Sequence, residues 1–192
     1  VATNGNDSAQ AKGTQRVLAI KRPPSVEKAR YDLPVSAMEF EIMDAIRNND
    51  VTIVCGETGS GKSTQVPQYL YEYGMCMNRV NHEKTFLVGI TQPRRVAAVS
   101  TAKRVCYEMG CGDGQTIKGS GQKGNIVSYR TRYETAGIGS ETCIQFMTDG
   151  ILLQEIQNDL LLRRYSVIVL DESHERNLNT DVLIGLLSVA LP

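Results

Sequence analysis

Residues 51–72 read VTIVCGETGSGKSTQVPQYLYE. A β-branched run, Val51 to Cys55, leads into a glycine-rich turn, and the turn leads into a helical stretch from about 62 to 73. The turn, Gly56 to Thr64, fits G-x-x-x-x-G-K-[ST] between a strand and a helix. Glycines let backbone N–H groups curl around phosphate oxygens with no Cβ in the way. The helix that follows points its positive end at the same anion. Lys62 is then placed to reach β- and γ-phosphates, and Ser63 to offer a hydroxyl to Mg²⁺. With Gly at roughly 7% of residues, a chance match in a chain of this length is on the order of one per cent. Gly56, Glu57, Thr58, Gly59, Ser60, Gly61, Lys62, Ser63 and Thr64 are therefore the candidate nucleotide-binding residues.

Outward from this loop the chain alternates. TFLVGIT (85–91), NIVSYR (125–130), TCIQFMT (142–148) and SVIVL (166–170) read as further strands. Helical patterns fill 95–109, 149–161 and 180–191, the last with Asn179 or Thr180 as its cap. SAME (36–39) reads as a capping box before a helix carrying Phe40, Met43 and Ile46. Such alternation predicts parallel βαβ units, an α/β fold with helices on both faces of a mostly parallel sheet. Residues 110–124 hold six glycines and read as a loop. Residues 1–30 are polar, broken by Pro23-Pro24, and carry six Lys/Arg against Asp7 and Glu27; they read as a flexible basic tail, with order beginning near Leu33.

A second stretch matters as much: YSVIVLDESHERN, 165–177, runs an apolar strand, expected to lie at the centre of the parallel sheet and covered on both faces, straight into a charge cluster. In open α/β sheets ligands sit at the carboxyl ends of strands, so Asp171 and Glu172 should emerge at the edge that carries the glycine-rich loop. An apolar strand followed by Asp suits a Mg²⁺-holding carboxylate, and a following Glu can polarise an attacking water.

Bulk properties set limits. The 192 residues fit one domain of 31–192 after the tail, with 41% hydrophobic and 22% charged residues. The first residue is Val, which suggests a piece of a longer chain. No apolar run of transmembrane length and no signal sequence is visible, so no membrane role is expected. Cys55, Cys76, Cys106, Cys111 and Cys143 contain no C-x-x-C pair, which argues for reduced thiols rather than a disulfide framework or zinc site. Twenty-one Lys/Arg balance 21 Asp/Glu; with +4 in the first 30 residues, the remainder stands at −4. Nucleic-acid binding would therefore need local basic clusters rather than bulk charge.

Taken in order, GETGSGKST, TQPRRVAA, MTDG and DESHER resemble motifs I, Ia, Ib and II of the DEAH/RHA group of superfamily 2 RNA helicases, over about residues 30–190. VSYRTRYE and FMTDGILLQEIQNDLLL are most similar to the branch that serves small-ribosomal-subunit assembly. The resemblance implies a RecA-like P-loop NTPase lobe, ATP or another NTP with Mg²⁺ as cofactors, and single-stranded RNA held through its backbone. It implies catalytic roles for Lys62, Asp171 and Glu172, metal ligation by Ser63 and Asp171, and a relay of nucleotide state by His174. It implies adenine stacking by Arg104 and RNA contacts by Arg94, Arg95, Arg132, Thr148, Asp149 and Gly150. It further implies a second RecA-like lobe in cis, activator proteins docking outside this lobe, and a nuclear or nucleolar location with a cytoplasmic one as the alternative.

Ser173 stands where the group's Ala usually stands, and it adds only a hydroxyl; the chemistry is expected to survive it. The sequence ends before the group's Ser-Ala-Thr motif and its arginine finger, a group worth ~10³–10⁵ in rate. The expectation is nucleotide binding with poor hydrolysis by these residues alone. The main rival reading is a P-loop ATPase that drives a protein or transport machine without nucleic acid. A small-acceptor kinase and a non-catalytic scaffold are the others.

Overall fold

The computed structural model describes residues 16–77, 86–112, 117 and 125–190. Five strands form one sheet: β1 (Leu87–Gln92), β2 (Val127–Arg130), β3 (Thr135–Ala136), β4 (Ile144–Thr148) and β5 (Tyr165–Leu170), in the order β3-β2-β4-β1-β5. β2, β4, β1 and β5 run parallel; only the short β3 is antiparallel, folded back on β2. Around it lie α1 (Pro24–Tyr31), a 3₁₀ turn (Pro34–Met38), α2 (Glu39–Asn48), α3 (Lys62–Glu72), α4 (Arg95–Glu108), α5 (Asp149–Asn158) and α6 (Leu178–Ala190). The expected mixed α/β architecture with a mostly parallel sheet is present. Among the described residues no helix is long and apolar enough to cross a membrane.

The register explains the two cores. Tyr129, Phe146, Ile90 and Val169 form one row across the sheet, and Val127, Ile144, Val88 and Val167 the next. Both rows pack on Val66, Tyr69 and Leu70 of α3 and on Ala102, Val105 and Cys106 of α4. The alternate positions Met147, Ile168 and Leu170 face the opposite side, against Ile151 and Leu152 of α5 and Leu183 of α6. Period-two alternation thus sends apolar residues of β4 and β5 to both faces, and helices cover both.

Four expectations change. Val51 to Cys55 is not a strand: it pairs with nothing in the sheet, and Ile53 is 84% exposed. Apolar β-branched composition favours extension but does not by itself bring about strand pairing. β5 is accordingly the sheet's outer strand and half-buried, not a central strand covered on both sides. The SAME segment is not a capping box, because its groups have stronger partners. The Ser36 hydroxyl donates to the Arg30 carbonyl at 2.6 Å, and Glu39 takes Arg16. α6 starts at Leu178, ahead of both predicted caps, because Thr180 is turned inward to donate to Asp149 Oδ2 at 2.5 Å.

Order also begins earlier than Leu33. Residues 16–32 lie along α3: the N–H groups of Val17 and Leu18 donate to the Glu72 carbonyl, and α1 follows. The tether is ionic. Glu72, 2% exposed, accepts from Arg30 at 2.7 and 3.2 Å and from Arg22 at 3.0 Å, and both guanidiniums are themselves buried. The remaining residues of the expected tail, 1–15, lie outside the described residues.

Burial alone would push the Glu72 carboxyl up, but the hydrogen bonds from Arg30 and Arg22 outweigh it and hold it below its usual 4.5. The unfolded chain therefore binds more protons once the pH falls below about 4.5, so this stabilisation is complete above that pH and lost below it. Glu72→Gln should cost about 3–5 kcal/mol in urea unfolding near neutral pH, since it strands two buried cations. It should also flatten the fall in stability as the pH drops below about 4.5. A loss under about 1 kcal/mol would show that the cluster is not buried in solution.

Candidate functional site

The glycine-rich loop is shaped by two left-handed glycines, Gly59 (φ +82°) and Gly61 (φ +95°). At Gly61 the demand is double: a Cβ there would also stand 2.9 Å from Leu33 Cδ1 and 3.0 Å from Val35 Cγ1. The Val35 N–H donates to the Ser60 carbonyl at 3.1 Å, so the chain before α2 braces the loop from behind. α3 begins at Lys62 itself. The Lys62 ammonium folds back over the loop, donating to the Gly56 carbonyl (2.6 Å), the Glu57 carbonyl (2.7 Å) and Ser60 Oγ (3.1 Å). A cation held by loop carbonyls at a helix N-terminus is an anion receptor in waiting. Gly56, Glu57, Thr58, Gly59, Ser60 and Lys62 line one side of a groove of about 520 Å³ whose other side includes Ile42 and Ala45 of α2.

The carboxylates sit at the end of β5. The Asp171 N–H donates to the Thr91 carbonyl at 3.2 Å, extending the ladder by one residue. Its side chain is fixed on both oxygens: Oδ1 accepts the Glu172 N–H at 2.9 Å, and Oδ2 accepts Gln92 Nε2. Glu172 then takes a left-handed conformation (φ +54°), a 3₁₀ turn spans Ser173–Glu175, and Arg176 is left-handed again (φ +52°). Non-glycine residues in this region cost of order 1–3 kcal/mol each and persist where surrounding contacts impose them. Here Ser173 Oγ donates to the Leu170 carbonyl at 2.7 Å, and Arg176 grips Asp181 at 2.9 and 3.0 Å. That pair raises the Arg176 pKa and lowers that of Asp181, each through the hydrogen bond between them. His174 stands 77% exposed, its Nε2 3.4 Å from Glu172. Asp171 and Glu172 are not among the groove's lining residues. Ser63 and Asp171 offer the hard oxygens that suit Mg²⁺.

The predicted nucleic-acid residues converge better than spacing implied. Arg94 immediately precedes α4 and pairs with Glu175 at 3.2 Å, linking the start of that helix to the DESHER segment. Arg95 and Arg132 lie over the same ring, that of Tyr133, at 5.9 and 5.6 Å from its centroid. Tyr133 is 75% exposed. Arg132 also lines a cavity of about 310 Å³ with Thr148, Asp149 and Gly150 at the N-terminus of α5. Asp149 is buried and engaged by Thr180, so its carboxylate ties α5 to α6. Arg104 extends from α4 with its Nε 2.6 Å from Glu108, and Glu108 accepts in turn from Gln65 and Gln68 of α3.

Sequence reasoning missed Gln92, Tyr133 and Glu108. For Tyr133 a signal existed, an aromatic directly after a basic pair in RTRYE. Gln92 and Glu108 act through partners 79 and about 40 residues away, which no local pattern encodes. His82 and most of the 110–124 loop lie outside the described residues.

A glycine-shaped phosphate cradle that opens a helix beside a parallel sheet places the chain in the P-loop α/β class. No family profile matches it. Curated relatives do. It is 52% identical over 172 residues to the Arabidopsis thaliana protein named "ATP-dependent RNA helicase DEAH13", covering 90% of this chain and 13% of that one. It is 49% identical over 169 residues to "Probable ATP-dependent RNA helicase DHR1" of Saccharomyces cerevisiae, covering 88% of this chain and 12% of that protein. It is 46% identical over 171 residues to the human "Probable ATP-dependent RNA helicase DHX37", covering 89% and 13%. Over these residues the chain is similar to proteins named as ATP-dependent RNA helicases, and it spans about an eighth of the length of those relatives.

Ser173→Ala tests the one departure in the carboxylate segment. Removing the bond to the Leu170 carbonyl should cost about 1 kcal/mol in thermal or urea unfolding. Affinity for a labelled nucleotide should be unchanged.

Proposed function

We propose that residues 31–192 form the ATP-binding, RecA-like lobe of an ATP-dependent DEAH-type RNA helicase that couples hydrolysis to RNA unwinding or ribonucleoprotein remodelling. The observations that carry the reading are a glycine-rich loop braced by Val35, an Asp-Glu pair fixed at the end of β5, and the Arg94–Glu175 ion pair that ties the start of α4 to the segment of that pair.

In this reading residues 56–64 wrap the phosphates of ATP with backbone N–H groups, and Lys62 exchanges its loop carbonyls for phosphate oxygens. Ser63 and Asp171 hold Mg²⁺, which supplies charge neutralisation on the phosphates. Gln92 keeps the Asp171 carboxylate oriented. Glu172 accepts the proton of the attacking water, and His174, exposed beside it, carries the nucleotide state to a second lobe in cis. Arg104 packs on the base.

RNA runs as a single strand over Arg94, Arg95 and Arg132, with the helix N-terminus at Thr148–Gly150 taking a phosphate through its backbone. Asp149 acts there by positioning, since a carboxylate facing a phosphate would repel it. The Arg95–Tyr133–Arg132 stack favours nucleic acid over a protein-only machine, because exposed aromatics between arginines suit single strands. The sequence likeness to the ribosome-assembly branch extends the proposal to a nuclear or nucleolar setting with activators docking outside this lobe.

The test uses the full-length protein. Single-stranded RNA should stimulate its ATPase, and Glu172→Gln should bind ATP but not turn it over. Absence of RNA stimulation would return the reading to a nucleic-acid-independent ATPase. Replacing Arg94 and Arg95 together by Ala should weaken RNA binding on all sequences alike. It should also reduce the salt slope by about 1.4, at about 0.7 per single-strand phosphate contact.

A further inference from the structure

α4 ends in a full Schellman cap, and the two residues that this cap presses together are both cysteines. Gly110 is left-handed (φ +69°), its N–H donates to the Tyr107 carbonyl at 2.9 Å, and the Cys111 N–H donates to the Cys106 carbonyl at 3.0 Å. These are the 5→2 and 6→1 bonds that define the motif, in which the sixth residue folds back onto the first. That contact is commonly hydrophobic. Here it is a thiol pair, with Cys106 Sγ and Cys111 Sγ 3.2 Å apart.

The cap is held from three sides. The Cys111 thiol donates to the Cys106 carbonyl at 3.1 Å. Asn125 Nδ2, ahead of β2, donates to the Cys111 carbonyl at 3.0 Å and approaches Cys106 Sγ at 3.6 Å. The Lys21 carbonyl lies so close that a Cβ on Gly110 would stand 2.3 Å from it, so no other residue can form this cap without moving the N-terminal strap. The sulfurs therefore cannot easily separate. Cys106 is 1% exposed and Cys111 half-buried, which leaves Cys111 as the sulfur that solvent can reach.

We propose that Cys106 and Cys111 form a dithiol modification site that low-molecular-weight disulfides, glutathione disulfide above all, oxidise to an intrachain disulfide across the cap. Cys111, deprotonated, attacks one sulfur of glutathione disulfide and releases one glutathione as its thiolate, leaving a mixed disulfide. Cys106 then gives up its proton and attacks the Cys111 sulfur, releasing the second glutathione. Two protein thiols are oxidised, one small disulfide is reduced to two thiols, and both protons pass to glutathione or solvent. The Cys106 hydrogen bond and burial both raise the Cys111 pKa. Attack is accordingly slow near neutral pH, so the site follows the ambient thiol–disulfide balance rather than a brief oxidant pulse.

The experiment is equilibration of the full-length protein in glutathione buffers of increasing oxidation, followed by acid quench, alkylation and trypsin. Residues 105–118 leave as one peptide carrying both sulfurs, since Arg104 and Lys118 are its cleavage points. The expected result is that peptide without alkyl groups and lighter by two hydrogens, exceeding its glutathionylated form by at least about tenfold because the second step is intramolecular. Cys55, exposed, should carry glutathione or an alkyl group under the same conditions. Cys111→Ser should leave Cys106 reduced and protected until the chain is denatured. A doubly alkylated peptide at every buffer ratio, a stable glutathione adduct on it, or a disulfide from Cys106 or Cys111 to any other cysteine would overturn the proposal.

Discussion

One buried carboxylate holds the glycine-rich-loop end of this molecule in place. Glu72 closes α3, the helix that the phosphate loop opens, and it is surrounded by the Arg22 and Arg30 guanidiniums with almost no solvent. Desolvating three charged groups is unfavourable, and only good geometry and complete hydrogen bonding offset it. The geometry is met: Arg30 reaches both carboxylate oxygens, and Arg22 spans Glu72 and Gln68. On its other side α3 gives Gln65 and Gln68 to Glu108 of α4. The helix is thus located by polar contacts as well as by Val66, Tyr69 and Leu70, and polar contacts tolerate far less sliding than apolar ones.

That constraint propagates to the loop. The strap that carries Arg22 and Arg30 continues through Leu33 and Val35, which contact the Gly61 position and bond the Ser60 carbonyl. Both ends of α3 are therefore held by one continuous stretch, residues 16–35, at Glu72 and at Ser60. The carboxylate segment is held differently, by the sheet. The parallel neighbours β1 and β5 end together, so Gln92 and Asp171 fall within hydrogen-bond reach although 79 positions apart. The left-handed backbone at Glu172 and Arg176 turns the chain sharply there and exposes His174.

Much of this was legible in advance, for identifiable reasons. The phosphate loop could be read because the backbone conformations it needs, at Gly59 and Gly61, are ones that only glycine adopts cheaply. The strands β1, β2, β4 and β5 were legible as short segments rich in β-branched and apolar residues, and α3 to α6 from helical spacing within a residue or three of their true ends. The failures share a cause. Val51 to Cys55 has strand composition, but composition alone does not bring it into register with the open edge of β5. Residues 16–31 have the composition of a solvated tail, yet the Arg22 and Arg30 side chains are buried because a carboxylate distant in sequence waits for them. SAME matches a capping pattern, yet both its polar side chains are claimed by partners outside the segment, Arg30 and Arg16.

The sequence by itself determined the chemistry on offer: a lysine at a helix start behind flexible glycines, a strand that ends in Asp-Glu, and arginines ahead of a helix. These follow from local backbone and side-chain properties, and local properties are written in consecutive residues. Only the tertiary structure decided which of those groups meet. It set Gln92 on Asp171, Tyr133 between Arg95 and Arg132, Thr180 on Asp149, and Arg22 and Arg30 on Glu72. The physical reason is that a buried charge or hydrogen-bonding group must find a partner wherever the packed chain brings one, and packing is settled by the sheet register and the two cores together.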